Sequence, residues 1–318
     1  MSDMPPPPPE AGGPELLPPG IPAPPPGRFL GIDAGGSATR VVLLADGRLT
    51  SRTTAPPLNA LLSEDLDGRL AGLITNASEV TGASGVTAAG IGMPGIRSAA
   101  AAARLAASVT ARAGCPVYIT GDGETAWLGA FGGEPGIVVF AGTGSGATGC
   151  DGQRWARTGG HGFLLGDEGS AYWLGRSAVS AALRWEDGMG GSAAIRDAVV
   201  QATGRDTAAL VNDIHTHPAE RSILTPLAPL LTSLATRDDA ARQIAWQAAE
   251  HLADLARTLR RRLGPLPVCG IGGVLTSPVV WDRFAELTGA VRPLAPPETG
   301  AALLAGSPRA EFIRAGWR

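Results

Sequence analysis

The sequence predicts an α/β protein with two domains of like fold. The same order of elements occurs twice: a buried strand, a glycine loop, a second strand, an Asp-Gly turn and a third strand. One copy covers 29–55 and the other covers 137–157, with loops and turns at similar offsets. Between them, 88–120 has a strand–helix–strand pattern, which favours parallel pairing of its strands. A duplication of this kind indicates two similar domains that face one another across a shared cleft.

The first copy begins with the apolar run Phe29–Ile32, which leads into Asp33-Ala34-Gly35-Gly36-Ser37. Thr39–Ala45 is β-branched and apolar, so it predicts a strand. Asp46-Gly47 is typical of a hairpin turn, and Arg48–Ala55 returns as a third strand with a polar face. An aspartate therefore ends the first strand beside a glycine loop.

The second copy has the same plan. Ile137–Phe140 is apolar and leads into the glycine- and hydroxyl-rich loop Gly142-Thr143-Gly144-Ser145. Ala147–Cys150 and Gln153–Arg157 are the next strands, and Asp151-Gly152 is the turn between them. Consecutive N–H groups in a glycine-rich turn form a concavity of phosphate size, so each copy predicts a phosphate-binding hairpin.

The remaining segments complete the α/β pattern. Ala88–Gly92 and Val117–Thr120 predict short buried strands, and Ser98–Ala113 predicts the helix between them. After the second copy, leucine and alanine recur at helical spacing from 236 until Gly264-Pro265 ends the helix. A third glycine loop follows in 268–274, and a last alanine-rich helix begins near Glu298.

Composition excludes several classes of protein. A net charge of −3 gives no basic surface for nucleic acid or for anionic membranes. No apolar run is long enough to span a membrane. The three cysteines are far apart in apolar or glycine-rich surroundings, which fits reduced thiols in the cytoplasm. Residues 1–27 are rich in proline and lack the features of a signal peptide, so we expect a disordered tail.

Two aspartates at strand ends have a functional and a structural interpretation each. Asp33 suits Mg²⁺, which prefers hard oxygen ligands, but it could equally satisfy loop N–H groups as a turn residue. Asp122 follows the strand Val117–Thr120 and precedes a predicted helix over Glu124–Phe131. It is placed as a general base for an attacking hydroxyl, or as the N-cap of that helix.

The segment 159–173 contains further candidates. Asp167 and Glu168 lie between glycines at a predicted helix start, where acids complement the helix dipole or act as ligands. Asn59 stands alone in an apolar stretch, either as a turn residue or as a hydrogen-bonding group. His161 is flanked by glycines and is interpreted as a loop residue. Ser145 and Ser170 are interpreted as hydroxyl donors to phosphate, because no local pattern supplies a histidine base.

Together these residues resemble the actin-like ATPase superfamily, in its branch of N-acetylglucosamine kinases and BadF/BadG-type ATPases. The resemblance covers Phe29 to about Ala305. Its first phosphate motif is similar to 33–39, its second to 141–145, and its adenosine motif to Gly272-Gly273-Val274. The most specific likeness is Gly166-Asp167-Glu168-Gly169-Ser170-Ala171-Tyr172-Trp173, which is similar to the sugar-kinase branch almost letter for letter.

This resemblance implies a fold of two ribonuclease H-like domains, each a mixed βββαβαβ-type sheet with flanking helices, around a central cleft. We place the N-terminal domain at 28–121 and the C-terminal domain at 122–295. Residues 296–318 would form a C-terminal helix that packs back on the N-terminal domain. ATP and Mg²⁺ are the implied cofactors.

The resemblance also implies a role for each matching residue. Asp122 would be the catalytic base and Asp33 the residue toward Mg²⁺. The sugar would be bound by Asn59, Gly160, His161 and Asp167. The ATP phosphates would lie against Gly35, Gly36, Ser37, Thr39, Gly142, Thr143, Gly144 and Ser145, and the adenosine against Gly272 and Gly273. Three residues depart from the family pattern: Ala38 stands in place of a common lysine, Gly146 in place of asparagine and His161 in place of tryptophan.

The implied activity is ATP-dependent phosphorylation of N-acetylglucosamine or glucosamine at the 6-hydroxyl. Two alternatives stay open, an ATPase that activates a radical dehydratase or reductase, and a kinase for N-acetylmuramic acid or glucose. The expected partner is a small-molecule sugar, with no nucleic acid and no membrane. The sequence leaves the oligomeric state open, with a homodimer among the alternatives.

Overall fold

The computed structural model describes residues 14–35, 38–58, 65–80, 85–96, 98–216 and 223–306, with backbone alone for 78–80. They form two compact units. The first unit contains the described residues up to Gly132 and those from Leu294 onward, and the second contains those of Gly133–Pro293. None of the described helices combines the length and the apolar character that a membrane span requires.

The first unit is built on a mixed sheet whose strand order is β1-β4-β3-β2-β5-β6 among the described residues. The central strand β2 pairs antiparallel with β3 and parallel with β5, and β5 pairs parallel with β6. Their bounds are β1 Glu15–Leu16, β2 Arg28–Ala34, β3 Thr39–Ala45, β4 Arg48–Ala55, β5 Ala88–Gly92 and β6 Val117–Thr120.

Helices cover both faces of this sheet. On one face, alternate residues of β2 such as Leu30 and Ile32 form a core with α1 (Leu66–Val80) and α2 (Ala99–Ala113). On the other face lie α3 (Asp122–Phe131) and α10 (Pro297–Gly306). The alternation of side chains along β2 therefore divides it between two helix layers.

Glycines let α10 approach the sheet and α3 at backbone distance. A Cβ atom at Gly31 would overlap the carbonyl oxygen of Glu298, and one at Gly90 would overlap that of Ala301. Gly300 in α10 lies against the carbonyl oxygen of Thr125 in α3 in the same way. Side chains are excluded at these positions because another backbone already occupies their space.

The second unit has a four-stranded sheet in the order β10-β7-β8-β9. As in the first unit, its first strand pairs antiparallel with the next strand and parallel with a later one. The predicted duplication is therefore present in the strand pairing. The elements are β7 Gly136–Ala141, β8 Ser145–Cys150, β9 Trp155–Gly159, α4 Ala171–Glu186, α5 Ala193–Thr203, α6 Thr207–Thr216, α7 Leu227–Leu234, α8 Asp239–Leu263, β10 Val268–Ile271 and α9 Pro278–Thr288.

The long helix α8 supports the second sheet. Asp238 caps its first turn by accepting from the Ala241 N–H at 2.9 Å. The helix buries a stripe of small and leucine side chains against β7, β8 and β9. Its buried residues are Ala241, Ala245, Ala248, Ala249, Leu252, Ala253, Ala256, Leu259 and Leu263.

The division into units falls after Gly132, eleven residues beyond the predicted boundary at 121. The reason is that α3, placed by the sequence in the C-terminal domain, packs against α10 and β5 in the first unit. Helix α10 lies in the same unit.

The predicted disordered tail at 1–27 is wrong for residues 14–27. Strand β1 extends the first sheet at β4, with Glu15 opposite Leu49. Ile21 is buried in a cluster with Phe29 and Leu44. The tail is ordered here because it has an apolar side chain to bury and a strand edge to pair with, which the proline content does not reveal. Residues 1–13 lie outside the described part.

We predict that Gly300→Ala lowers the free energy of unfolding of the first unit by about 1–3 kcal/mol, because the new methyl group must displace the α3 backbone. Gly72→Ala is the matched control, since Gly72 also lies within a helix and its Cβ would meet open space. It should raise the free energy of unfolding by up to ~1 kcal/mol through helix propensity. Urea unfolding compares the two variants. Equal effects would contradict the close approach.

Candidate functional site

Asp33 lies at the carboxyl end of β2, where open α/β sheets bind ligands. Asp33 is 8% exposed, and Nη1 of Arg40 on the neighbouring strand lies 3.5 Å from Asp33 Oδ2. Because side chains alternate along a strand, Asp33 is on the same face as Gly31, the face on which α10 packs. The buried Asp33 carboxylate therefore lies on the face of the sheet that α10 covers, at the end of β2.

Asp122 is the first residue of α3, and Gly121 occupies the N-cap position without a side-chain cap. The N-cap interpretation of Asp122 is therefore wrong. The half-buried carboxylate of Asp122 accepts from the Gly123 N–H at 3.0 Å. One turn later, Thr125 lies over Gly92, which is paired in register with Asp33. The packing of α3 on β5 thus brings Asp122 toward Asp33.

The two aspartates influence one another electrostatically. Burial and the negative charges of Asp122 and Glu298 together raise the pKa of Asp33 to about 7, although Arg40 lowers it. Sequence analysis missed Glu298 as a member of this group, because only the packing of α10 reveals it. The carboxylates form an acidic cluster in the first unit, defined here as Asp33, Asp122 and Glu298.

The first glycine loop is described in part. The Gly35 N–H donates to the carbonyl oxygens of Asp33 and Ala38, both at 3.1 Å, which closes a tight turn. Thr39 is fully buried, and its hydroxyl donates to the Pro56 carbonyl at 2.9 Å, so this hydroxyl is already used within the fold. Gly36 and Ser37, predicted to contact phosphate, and Asn59, predicted to bind sugar, lie outside the described residues.

The second glycine loop is a tight turn between β7 and β8, closed by the Gly142 N–H donating to the Gly144 carbonyl at 2.9 Å. Asp167 lies directly against it. A Cβ atom at Gly144 would be 2.6 Å from Asp167 Oδ2, so glycine is required for this approach. Thr143, between the two glycines, is half-buried.

Four hydrogen bonds join this loop to 167–172. The Ser145 N–H donates to Asp167 Oδ1 at 3.3 Å, and the Ser145 hydroxyl donates to the Glu168 carbonyl at 2.7 Å. The N–H groups of Ala171 and Tyr172 donate to the Gly142 and Thr143 carbonyls at 2.8 and 3.4 Å. We call these bonds the loop–turn junction. The loop–turn junction fixes the second glycine loop and the Gly-Asp-Glu-Gly turn relative to each other.

The acidic pair precedes the helix instead of beginning it. Asp167 has a φ of 63° and is 6% exposed, whereas α4 begins at Ala171. Ser170 is the N-cap, and its hydroxyl oxygen accepts from the Trp173 N–H at 3.2 Å. This bond uses an acceptor lone pair of the hydroxyl, so donation by Ser170 to phosphate stays a prediction. The left-handed backbone at Asp167 is a strained position held by the loop–turn junction.

Gly160 and His161 follow β9 beside the same loop. The Gly160 N–H donates to the Ser145 carbonyl at 2.9 Å, and the His161 side chain is exposed. Gly146 has a structural explanation, since a Cβ atom there would be 2.7 Å from the Phe140 ring. Phe140 thus fills the space that a larger residue at 146 would need.

A cavity of about 240 Å³ adjoins the Gly-Asp-Glu-Gly turn on the α4 side. The lining could not be predicted as a group from local patterns, because Phe163 precedes the Gly-Asp-Glu-Gly turn whereas Tyr172, Trp173 and Arg176 lie in the first turns of α4. The lining residues are Phe163, Leu164, Leu165, Gly166, Glu168, Tyr172, Trp173 and Arg176.

The third glycine loop follows β10. Gly272 has a φ of 102°, and a Cβ atom there would overlap the Ala141 carbonyl oxygen at the end of β7. Gly273 starts a 3₁₀ turn, Gly273–Thr276. Arg292 stabilises this turn by donating to the Leu275 carbonyl at 2.9 Å while its guanidinium stacks on the Trp281 ring.

Known proteins match both the sequence and the fold. A sequence model of the BadF/BadG/BcrA/BcrD ATPase family matches residues 30–305. Over 75 residues, the chain is 41% identical to an N-acetylmuramic acid/N-acetylglucosamine kinase from Clostridium acetobutylicum, a match that covers 23% of this chain and 24% of that kinase.

Two solved structures confirm the α/β fold. A protein from Chromobacterium violaceum, provisionally named an N-acetylglucosamine kinase, is 28% identical with a TM-score of 0.72, over 88% of this chain and 99% of the other. A ROK family glucokinase from Streptomyces griseus, solved with glucose and AMPPNP, is 18% identical with a TM-score of 0.63, over 88% and 98%. The second likeness concerns the fold alone.

We predict that the stability of the first unit falls as pH rises from about 4 to about 7 without metal. The folded chain binds a proton on Asp33 up to its pKa of about 7, whereas the unfolded chain loses it near 3.8. Asp33→Asn removes this contribution. Urea unfolding in EDTA at several pH values should therefore show a shallower decline for the variant. An identical pH dependence would contradict the burial of this charge.

We also predict that Ser145→Ala lowers the free energy of unfolding of the second unit by about 1–3 kcal/mol, because the Glu168 carbonyl loses a buried donor. Ser233→Ala, at an exposed position of α7, is the control and should change it by less than ~0.5 kcal/mol. Denaturant titration separates them. A Ser145 variant as stable as the control would show that the loop–turn junction does not depend on this hydroxyl.

Proposed function

Because this chain belongs to the BadF/BadG/BcrA/BcrD ATPase family, we propose that it is an ATP-dependent kinase that phosphorylates an amino sugar at its 6-hydroxyl. N-acetylglucosamine and glucosamine are the proposed acceptors. The names of the Clostridium and Chromobacterium proteins support a sugar substrate of this kind. The Clostridium match spans about a quarter of that kinase, so the activity of this chain rests on its own residues as well.

The observation that carries the proposal is the loop–turn junction. A phosphate-binding loop needs a tight turn that an anion can approach closely, which Gly142 and Gly144 allow. A sugar ligand needs a carboxylate held in a fixed direction, and Asp167 is held by the Ser145 N–H beside that loop. Because one set of hydrogen bonds fixes both, the arrangement suits a reaction that joins a phosphate donor to a hydroxyl acceptor.

The acidic cluster fits Mg²⁺ on the chemistry of its donors. Carboxylate oxygens are the hard ligands that Mg²⁺ prefers, and the mutual repulsion that raises the pKa of Asp33 is relieved by a cation. Asp33 is the residue we propose to hold it. When bound with ATP, Mg²⁺ would neutralise phosphate charge that develops during transfer.

Asp122 is the proposed general base. Its carboxylate is half-buried at the start of α3 and accepts from the Gly123 N–H, which orients it at the carboxyl end of the sheet. It would accept the proton of the 6-hydroxyl as that oxygen attacks the terminal phosphate, a contribution of about 10²–10⁴ in rate. Exclusion of water from the acceptor position would favour transfer over hydrolysis.

The remaining proposed contacts are divided between sugar and nucleotide. Asp167, Asn59, Gly160 and His161 are the proposed sugar ligands. Gly35, Gly36, Ser37, Thr39, Thr143 and Ser145 are proposed to line the phosphates together with Gly142 and Gly144, and Gly272 and Gly273 the adenosine. The hydroxyls of Thr39 and Ser145 and the Ser145 N–H donate within the fold, so contact of these two residues with phosphate would require those bonds to be exchanged when the nucleotide binds.

The thiols favour this activity over the activator of a radical enzyme, which would hold an iron–sulfur cluster with cysteine ligands. Cys115, Cys150 and Cys269 are all buried. Burial raises the pKa of Cys115, and it raises the pKa of Cys269 to about 12. Thiolates are the ligands of such clusters, so these environments oppose cluster binding.

The acceptor is tested by ADP release from MgATP with N-acetylglucosamine, glucosamine, N-acetylmuramic acid and glucose in turn. We expect the first two to stimulate turnover most. Stimulation by N-acetylmuramic acid or glucose alone would move the proposal to that sugar, and stimulation by none would overturn it.

We predict that Asp122→Asn lowers kcat by about 10²–10⁴ without changing ADP affinity in EDTA, because the proton acceptor is lost while the nucleotide contacts stay. Asp46→Asn is the matched control, since Asp46 lies in a hairpin turn with a φ of 48°, a conformation that asparagine tolerates. Steady-state kinetics and calorimetric ADP titration compare the two. Full activity of Asp122→Asn would remove Asp122 as the base.

A further inference from the structure

Glu298 is a buried carboxylate with an unsatisfied oxygen. It lies in the first turn of α10 and is 4% exposed. Its Oε2 has no hydrogen-bond partner in the part of the chain that the structure describes. A buried ionised carboxylate without a partner is costly, and such groups are normally paired with a cation or hydrogen-bonded. Glu298 therefore requires an explanation beyond packing.

The backbone places Glu298 over the strand that carries Asp33. Gly31 contacts the Glu298 carbonyl, and Gly31 and Asp33 are two residues apart on the same face of β2. The negative charge of Glu298 is also near enough to raise the pKa of Asp33. The packing therefore assigns Glu298 to the acidic cluster, and the effect of its charge on Asp33 agrees with this.

The positive charge beside Asp33 compensates it only weakly. Arg40 pairs with Asp33 at 3.5 Å, but its side chain is half-exposed, so solvent weakens the pairing. Within the described residues, no set of three histidine, cysteine or acidic side chains is arranged to hold a metal ion directly. A cation that keeps its water molecules fits both facts, because water bridges carboxylates that are too far apart for direct ligation.

We propose that Glu298 accepts a hydrogen bond, through Oε2, from a water molecule of a hydrated divalent cation bound beside Asp33. Glu298 is then a positioning residue that acts on Mg²⁺ through water. The inference rests on the proposed function, since ATP brings the cation to this site. A purely structural role, in which the carboxylate only complements the N-terminus of α10, would not depend on the cation.

The test measures ADP affinity by calorimetry, once in EDTA and once with saturating Mg²⁺. We expect wild-type protein to bind ADP more tightly with Mg²⁺. Glu298→Gln should lower this gain by about tenfold while leaving the affinity in EDTA unchanged, because outer-shell residues contribute 10–100-fold to metal affinity. Asp33→Asn should lower the gain as well. Glu134→Gln, at an exposed position, controls for net charge and should keep the full gain.

The outcomes distinguish failure of the proposed function from failure of the role of Glu298 alone. If wild-type protein does not bind ADP in either condition, the proposed function fails and the inference fails with it. If wild-type protein shows the gain and Glu298→Gln keeps all of it, the role of Glu298 alone is overturned. Glu298→Asp keeps the charge but shortens the side chain. Should Glu298→Gln fail to fold, an undiminished gain in Glu298→Asp would overturn the proposal and a reduced gain would support it.

Discussion

Helix α10 lies so close to β2, β5 and α3 that Gly31, Gly90 and Gly300 have no room for side chains. This close approach determines how the helices of the first unit pack on its sheet. It fixes the distance between α10 and the sheet. Helix α3 lies on the same face of the sheet as α10, and its Thr125 lies over Gly92. Because α10 meets both the sheet and α3 through backbone, the first turns of α10 and α3 are positioned within narrow limits, and those turns carry Glu298 and Asp122. Packing thereby becomes the source of the acidic cluster.

In the second unit, close contact at a glycine also fixes the position of a candidate site residue. Gly144 permits the Asp167 carboxylate to lie against the second glycine loop, and the Ser145 backbone and hydroxyl then bind both residues of the acidic pair. Each unit thus combines a glycine-permitted contact with buried or half-buried acidic groups. Burial of such groups destabilises the protein without a ligand, and they bind well when a ligand brings the opposite charge. Stability and the proposed chemistry are linked through the same residues.

Local patterns predicted most of the fold. Thr39–Ala45, Arg48–Ala55, Ala88–Gly92 and Val117–Thr120 are strands with the predicted bounds, because turn residues and β-branched runs mark their ends. Contacts distant in sequence were harder to foresee. The burial of Ile21, the membership of Glu298 in the acidic cluster and the left-handed conformation of Asp167 each depend on a partner that no local pattern specifies. The family resemblance supplied roles for site residues, but not the hydrogen bonds that orient them.

The central claim, transfer of phosphate from ATP to the 6-hydroxyl of an amino sugar, is tested most directly by the structure of the product. Purified protein incubated with MgATP and N-acetylglucosamine would be examined by two-dimensional ¹H–³¹P correlation spectroscopy. The account predicts a sugar phosphate whose phosphorus couples to the two protons on carbon 6. ADP and inorganic phosphate as the new phosphorus species without any sugar phosphate, or coupling to the anomeric proton, would contradict it.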